Sequence, residues 1–184
     1  MQKAQRIPLI KLATFVFLSA LMLDAWTKTL AFLYLEPANP LVGSDHIALF
    51  PVRNDALAFS IGADSISPSI PFILRITLLV IILWLTWRDI QNNARTAIGV
   101  ALLVAGGTGN TMDIMFRDGA VIDFLVVGQV RAWINDKPDA IIAALNLADL
   151  WILAGLILMY PLIRRLGAGI RKHLRRPLVF VRDA

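Results

Sequence analysis

The chain alternates long apolar stretches with shorter polar ones, and four apolar stretches have a length that suits a membrane crossing. They run approximately over residues 9–35, 70–87, 96–116 and 140–163. A helix of about 20 apolar residues spans the hydrocarbon core of a bilayer. The pattern therefore predicts an all-α polytopic membrane protein with four transmembrane helices. We expect residues 1–184 to form a single integral membrane domain, because the sequence contains no repeat or low-complexity run that would separate a second one.

Two polar connections separate the predicted helices on one side of the membrane. The first, residues 36–69, contains several prolines and glycines and so cannot be one helix. Its short apolar runs at residues 47–50 and 57–61 are typical of strands.

The second connection, residues 117–139, predicts a further strand pair around Gly128, with strands over residues 120–127 and 129–133. Both connections lie on the same side of the four helices. We therefore expect a small antiparallel β-sheet on that side.

Charge is distributed unevenly between the two sides. Only 17% of the 184 residues are charged and the mean hydropathy is +0.69, values that exclude an ordinary soluble domain. The side that holds both termini and the link between the second and third helices carries twelve Lys or Arg against two Asp or Glu, whereas the rest of the chain carries six against eleven. Basic residues accumulate on the cytoplasmic side of membrane proteins, so both termini are expected to be cytoplasmic.

The basic segment over residues 164–176 has two interpretations. Such a run binds either nucleic acid or anionic lipid headgroups. Because it directly follows a predicted span, we favour membrane lipid as its partner and expect no nucleic acid.

Composition also excludes several kinds of active site. The chain has no cysteine and two histidines, His46 and His173. A disulfide framework and a thiol nucleophile are therefore excluded, and we expect neither a zinc site nor any other metal or cofactor.

Two aspartates, Asp123 and Asp149, lie in or beside apolar stretches. An isolated carboxylate is costly to hold there and needs a partner or a task. Two carboxylates brought together at a membrane surface favour an intramembrane aspartyl protease. The alternative for Asp123 is an exposed loop carboxylate.

Polar residues also occur in pairs near the outer ends of three predicted helices: Asp24 with Lys28, Asn110 with Asp113, and Asn146 with Asp149. The first pair has the i, i+4 spacing that places two side chains on one helix face, so a purely structural ion pair is the alternative to a role in chemistry. One such pair could join two helices. Pairs on three helices indicate a shared polar cavity.

These residues lie within motifs that together resemble the lipoprotein signal peptidase, or signal peptidase II, family. The motifs follow one another in the family's order, at residues 24–28, 54–60, 105–114, 121–124 and 145–149. The resemblance therefore covers most of the chain, from Asp24 to Asp149. It implies four spans with an extracytoplasmic β-cradle, in the cytoplasmic (inner) membrane of a bacterium.

The resemblance also implies an activity. Asp123 and Asp149 would be the catalytic pair of an aspartic endopeptidase. The substrate would be a prolipoprotein that carries diacylglycerol, cut before its lipidated cysteine. The remaining candidates would bind substrate or support the pair: Asn54, Asn110, Asn146, Asp24, Lys28, Asp113 and Arg117.

The sequence departs from the family pattern in one charged position. The arginine that the family keeps after Asp113 is Ile114 here, and Arg117 is our candidate to replace it. Ala56 and Leu145 replace a glycine and a phenylalanine. These changes leave both candidate catalytic carboxylates in place and bear on the substrate range and on activity.

Three alternative functions remain open at this point. A serine protease would have to use His46 or a Ser/Lys pair with Lys28, and the chain contains no Gly-x-Ser-x-Gly motif. A homologue that binds lipoproteins or signal peptides without cleavage would keep the same motifs. A small cation transporter would also place carboxylates in its spans, although the chain lacks an inverted repeat.

Overall fold

The computed structural model describes residues 3–54, 69–135 and 142–174. Long helices and a small sheet alternate along the chain. The elements are α1 (Lys3–Tyr34), β1 (Leu41–Ser44), β2 (Ile47–Asn54), α2 (Ser69–Ile90), α3 (Ala94–Phe116), β3 (Val121–Gly128), α4 (Val130–Ile134), β4 (Ile142–Leu145) and α5 (Leu147–Leu174).

Three helices in the described part of the chain are long and apolar enough to cross a membrane. These segments are Pro8–Tyr34 in α1, Ala94–Phe116 in α3 and Leu147–Ala168 in α5. The expected span over residues 70–87 is a helix, α2, but α2 is not among the three. The fold is therefore that of a helical membrane protein with three candidate spans and a four-stranded antiparallel sheet.

Helix α3 lies at the centre of the helical layer, where it packs against α1, α2 and α5. Its contact with α5 is close because both helices present glycine. A Cβ atom on Gly155 of α5 would lie 2.6 Å from the carbonyl oxygen of Gly99. A larger side chain would therefore force the two helices apart.

The four strands form one sheet in the order β1-β2-β3-β4, with every neighbouring pair antiparallel. One face is closed by an apolar cluster of Ala48, Phe50, Val126 and Val130. The predicted strands over residues 47–50 and 120–127 are confirmed within β2 and β3. The predicted strand over residues 57–61 lies outside the described residues.

The predicted strand over residues 129–133 is wrong, because this segment forms the short helix α4 instead. Val130 and Trp133 are three residues apart, so a helical turn places both against the closed face of the sheet. There Val130 is fully buried, and the ring of Trp133 stacks on Phe50 with centroids 5.0 Å apart. Strand β3 pairs with β2 and β4, not with a strand across Gly128.

The predicted start of the last span at residue 140 is also wrong. Residues Ile142–Leu145 pair with β3 as strand β4, and the helix begins only at Leu147. Asn146 and Asp149 therefore lie at the amino-terminal end of α5, Asn146 directly before the helix and Asp149 in its first turn. The apolar run is continuous in sequence because the partly buried strand β4 is followed directly by the apolar candidate span of α5.

Candidate active site

The candidate residues meet where the sheet adjoins the helices. Strand β3 supplies Asp123, β2 supplies Asn54, and the start of α5 supplies Asn146 and Asp149. Asp123 is 2% exposed and Asn146 is 1% exposed, so this part of the site is closed to bulk solvent. The interpretation of Asp123 as an exposed loop carboxylate is therefore wrong.

Both carboxylate oxygens of Asp123 accept hydrogen bonds from amide side chains. Asn54 Nδ2 donates to Oδ2 at 2.9 Å, and Asn146 Nδ2 donates to Oδ1 at 2.7 Å. Burial raises the pKa of Asp123 from its ordinary value of 3.8 to about 6, and the nearby charge of Asp149 acts in the same direction. The two hydrogen bonds and the Lys28 charge oppose this rise.

Asp149 lies in the first turn of α5 and exchanges hydrogen bonds with Asn146. The Asn146 backbone N–H donates to Asp149 Oδ2 at 3.0 Å, and the Asp149 backbone N–H donates to Asn146 Oδ1 at 3.1 Å. This reciprocal arrangement is a capping box, which satisfies free N–H groups at a helix start. The i, i+3 spacing of the two residues thus has a local structural cause in addition to any role in chemistry.

Two asparagines connect the carboxylates to each other. Asn146 Nδ2, which donates to Asp123, also donates to Asn110 Oδ1 at 3.0 Å. Asn110 Nδ2 in turn donates to Asp149 Oδ1 at 3.0 Å. The chain of hydrogen bonds from Asp123 to Asp149 is therefore continuous.

Lys28 lies beneath this chain and is fully buried. Its Nζ lies 2.8 Å from Asp24 Oδ2, 2.9 Å from Asp113 Oδ2 and 2.9 Å from Asn110 Oδ1. The Asp24–Lys28 ion pair predicted from the i, i+4 spacing is thus present. An ammonium group has three hydrogens to donate, and each has an acceptor. Lys28 is consequently a poor candidate for the base of a Ser/Lys pair.

Asp24 also connects α1 to the start of α5. Its Oδ1 accepts a hydrogen bond of 2.8 Å from the backbone N–H of Ala148, one residue before Asp149. Helix starts leave such N–H groups without partners inside the helix. Asp24 and Asn146 therefore anchor the turn that carries Asp149.

Asp113 joins α3 to β3 and to Arg117. Its Oδ1 lies 3.0 Å from Arg117 Nε, while Oδ2 accepts a hydrogen bond of 3.3 Å from the Ile122 backbone N–H, next to Asp123. The Arg117 guanidinium also lies 6.0 Å from the ring centroid of Phe32. Among the contacts of the described residues, Arg117 is therefore connected to the catalytic candidates indirectly, through Asp113.

One charged residue near the site was missed by the sequence reasoning. Arg75 of α2 interacts electrostatically with Asp149. A lone cation inside an apolar run is itself a signal of function, and this signal could have identified Arg75. His46 lies elsewhere, in the β1–β2 turn, where its Nδ1 is 3.1 Å from the Gly128 carbonyl oxygen. In the described residues no group of three or more His, Asp or Glu side chains is arranged to hold a metal ion.

Comparisons with known proteins agree on one family. A family model described as signal peptidase (SPase) II matches residues 16–164. A lipoprotein signal peptidase of Borrelia turicatae is 33% identical over 118 residues, which are 61% of this chain and 69% of the relative. One of Borrelia duttonii is 27% identical over 152 residues, 77% of this chain and 84% of the relative.

The fold is also similar to that of a solved bacterial membrane enzyme whose structure was obtained by the in meso method. The TM-score is 0.67 at 22% sequence identity, over 84% of this chain and 88% of that one. At this identity the similarity concerns the fold alone.

Proposed function

The chain belongs to the signal peptidase II family and is therefore a peptidase that acts on lipoproteins, and from this premise we propose that it is an intramembrane aspartyl endopeptidase with Asp123 and Asp149 as its catalytic residues. The observation that carries the proposal is the continuous chain of hydrogen bonds from Asp123 through Asn146 and Asn110 to Asp149. Family membership does not favour the homologue that binds without cleavage.

The two carboxyl groups are proposed to begin the reaction with one proton between them. Asp123 carries it, because burial raises its pKa to about 6. Asp149, in the first turn of α5, is then the base. Two interacting carboxyl groups in different surroundings divide the roles of acid and base in this way.

In the first step the Asp149 carboxylate takes a proton from a water molecule while the water oxygen bonds to the scissile carbonyl carbon. Asp123 gives its proton to the carbonyl oxygen, so a neutral gem-diol forms. In the second step Asp149 returns its proton to the leaving nitrogen as the C–N bond breaks. Asp123 then takes a proton from one hydroxyl group, which yields a carboxylic acid, an amine and the starting pair. The scheme involves no acyl-enzyme.

The other candidates are proposed to hold this pair in place. Asn54, Asn110 and Asn146 orient the carboxylates and contact the substrate backbone. Lys28, Asp24 and Asp113 fix the start of α5 and strand β3 beneath them. Arg117 supports Asp113 in place of the arginine that Ile114 replaces.

We further propose that the substrate lipoprotein carries diacylglycerol and is cut before its lipidated cysteine. The acyl chains would stay in the bilayer while the peptide enters laterally between helices. This arrangement requires α2 to be a fourth span within a single integral membrane domain. Both termini would lie in the cytoplasm of a bacterium, with the sheet on the outer side of its inner membrane, as the distribution of basic residues favours.

The experiment is a gel-shift cleavage assay in detergent with a diacylglyceryl-modified prolipoprotein. We expect the wild-type protein to release the signal peptide, and Asp123→Asn or Asp149→Asn to lower turnover by roughly 10³-fold or more, because each removes an acid or base needed in both steps. Asp118→Asn is the matched control. Asp118 is exposed and has a φ of 51°, which asparagine tolerates.

Two results would contradict the proposal. One is cleavage by Asp123→Asn or Asp149→Asn at the rate of Asp118→Asn. The other is the absence of cleavage by the wild-type protein on several diacylated substrates.

A further inference from the structure

Arg75 of α2 has a hydrogen-bond donor without an acceptor. Its Nη1 atom is buried and has no hydrogen-bond partner. Every other buried side-chain nitrogen or oxygen atom of the described residues has one. Buried polar groups are nearly always paired, and a buried donor left unpaired is destabilising. An unpaired buried donor close to a candidate active site is therefore a candidate contact for a bound substrate.

The packing of α2 on α3 places Arg75 beside the candidate active site. Leu79 of α2 lies against Gly107 of α3, where a Cβ atom would meet its side chain at 2.8 Å. The two helices are joined by the short link over residues 91–93 and run antiparallel. Arg75 lies one turn, roughly 6 Å, from Leu79 toward the sheet, and Asn110 lies roughly 4.5 Å from Gly107 in the same direction. Arg75 is thus level with Asn110.

At this height along α3, Asn110 contacts Asp149. The Asp149 Oδ1 accepts a hydrogen bond from Asn110. Arg75 and Asp149 interact electrostatically, but they do not form one of the ion pairs found among the described residues. The Asp149 oxygens are occupied by Asn110 and by the Asn146 backbone. Arg75 Nη1 is therefore without an acceptor, although the charge of Asp149 acts on the guanidinium.

We propose that Arg75 donates a hydrogen bond to a carbonyl oxygen of the bound substrate, beside the bond that is cut. The inference rests on the proposed function and adds a substrate-binding residue on α2 to it. A carbonyl oxygen is the acceptor that suits the site, because it pairs with the guanidinium without placing a second negative charge next to Asp149. A substrate carboxylate or phosphate would add such a charge.

The carbonyl oxygen has two sources in a diacylglyceryl-modified prolipoprotein. One is the peptide chain, and the other is the ester that joins an acyl chain to glycerol. A substrate whose chains are attached through ether bonds lacks the second kind. Comparison of the ester and ether substrates therefore distinguishes the two sources.

The test compares Arg75→Gln with Arg88→Gln, the same substitution at an exposed position on the same helix. Cleavage of the ester and ether substrates gives kcat and KM, and the melting temperature in detergent gives stability. Substrate affinity is measured separately for both variants in an Asp123→Asn background, where no turnover is expected. Arg75→Lys keeps the positive charge and a hydrogen-bond donor group at the end of a long side chain.

We expect Arg75→Gln to lower kcat/KM by roughly 10- to 100-fold, as loss of a charged hydrogen bond to substrate does. Arg88→Gln leaves kcat/KM unchanged, and Arg75→Lys restores part of the activity. The melting temperature does not fall, because the free protein loses an unpaired buried donor. If kcat/KM falls with the ester substrate alone, the acceptor of the Arg75 hydrogen bond is the ester carbonyl oxygen. If kcat/KM falls with both substrates, the acceptor is the peptide carbonyl oxygen.

Equal activity and affinity of the Arg75→Gln and Arg88→Gln variants would overturn the inference. A parallel fall in stability and activity that Arg75→Lys does not restore would also overturn it, because Arg75 would then be structural. If the wild-type protein cleaves neither substrate, the proposed function fails. The affinities in the Asp123→Asn background then still decide the role of Arg75.

Discussion

Replacement of Lys28 by methionine removes the central cation of the buried network. Lys28 is fully buried, and its Nζ lies within 2.9 Å of Asp24, Asp113 and Asn110. The side chains of the two aspartates are 1% and 8% exposed. Methionine fills a similar volume but leaves Asp24 without its ion-pair partner.

The expected loss is large because one partner of a buried ion pair is removed. Breaking such a pair costs about 3–5 kcal/mol, since the remaining charge stays buried and uncompensated. Asp113 keeps Arg117 at 3.0 Å, so most of the loss should come from Asp24. A second substitution, Asp24→Asn, removes that charge, and the double variant should recover part of the lost stability.

The assay is unfolding in mixed detergent micelles at neutral pH, followed by far-UV circular dichroism. Lys11→Met is the control, because Lys11 is an exposed residue of the same helix. Activity should fall with stability, since Lys28 holds Asn110 and Asn110 holds Asp149. If Lys28→Met costs no more than Lys11→Met, or if Asp24→Asn adds a further loss to it, the ion-pair reasoning is wrong.

Two further predictions concern the pH profile and the helix packing. Asn54→Ala removes a hydrogen bond that lowers the pKa of Asp123, so the pH above which kcat/KM falls should move upward. Asn39→Ala, at an exposed position, is the control. An unchanged pH profile in the Asn54→Ala variant would exclude this role for Asn54. Gly155→Ala should destabilise the protein by about 1–3 kcal/mol, because its Cβ would meet the backbone of α3. Gly167→Ala, with nothing within 4 Å, should be neutral in the same melting experiment. Equal effects of the two glycine substitutions would contradict the close packing.

Hydropathy and local spacing were sufficient for much of the fold. The spans of α1, α3 and α5 follow from apolar length, and the Asp24–Lys28 ion pair follows from the i, i+4 spacing. The strands β2 and β3 follow from short β-branched and aromatic runs between turn residues. These features depend on a few neighbouring residues, so the sequence alone specifies them.

Features that depend on packing were not predicted. The run at residues 129–133 is too short for its periodicity to distinguish a strand from one helical turn. The stacking of Trp133 on Phe50 favours the helix α4. Strand β4 continues into α5 without a polar interruption other than Asn146, whose capping role appears only with its hydrogen bonds. The proximity of Arg75 to Asp149 depends on how α2 and α3 align, which no local pattern contains.

If Asp123 and Asp149 form one coupled pair, the titration of Asp123 depends on the Asp149 carboxylate. Carbon-13 NMR of labelled aspartate in detergent measures that titration, with Asp123→Asn to assign the signal. We expect a pKa of about 6 for Asp123, and a lower pKa in the Asp149→Asn variant because a neighbouring negative charge is lost. Titration of Asp123 near 3.8, or the same pKa with and without the Asp149 carboxylate, would contradict it.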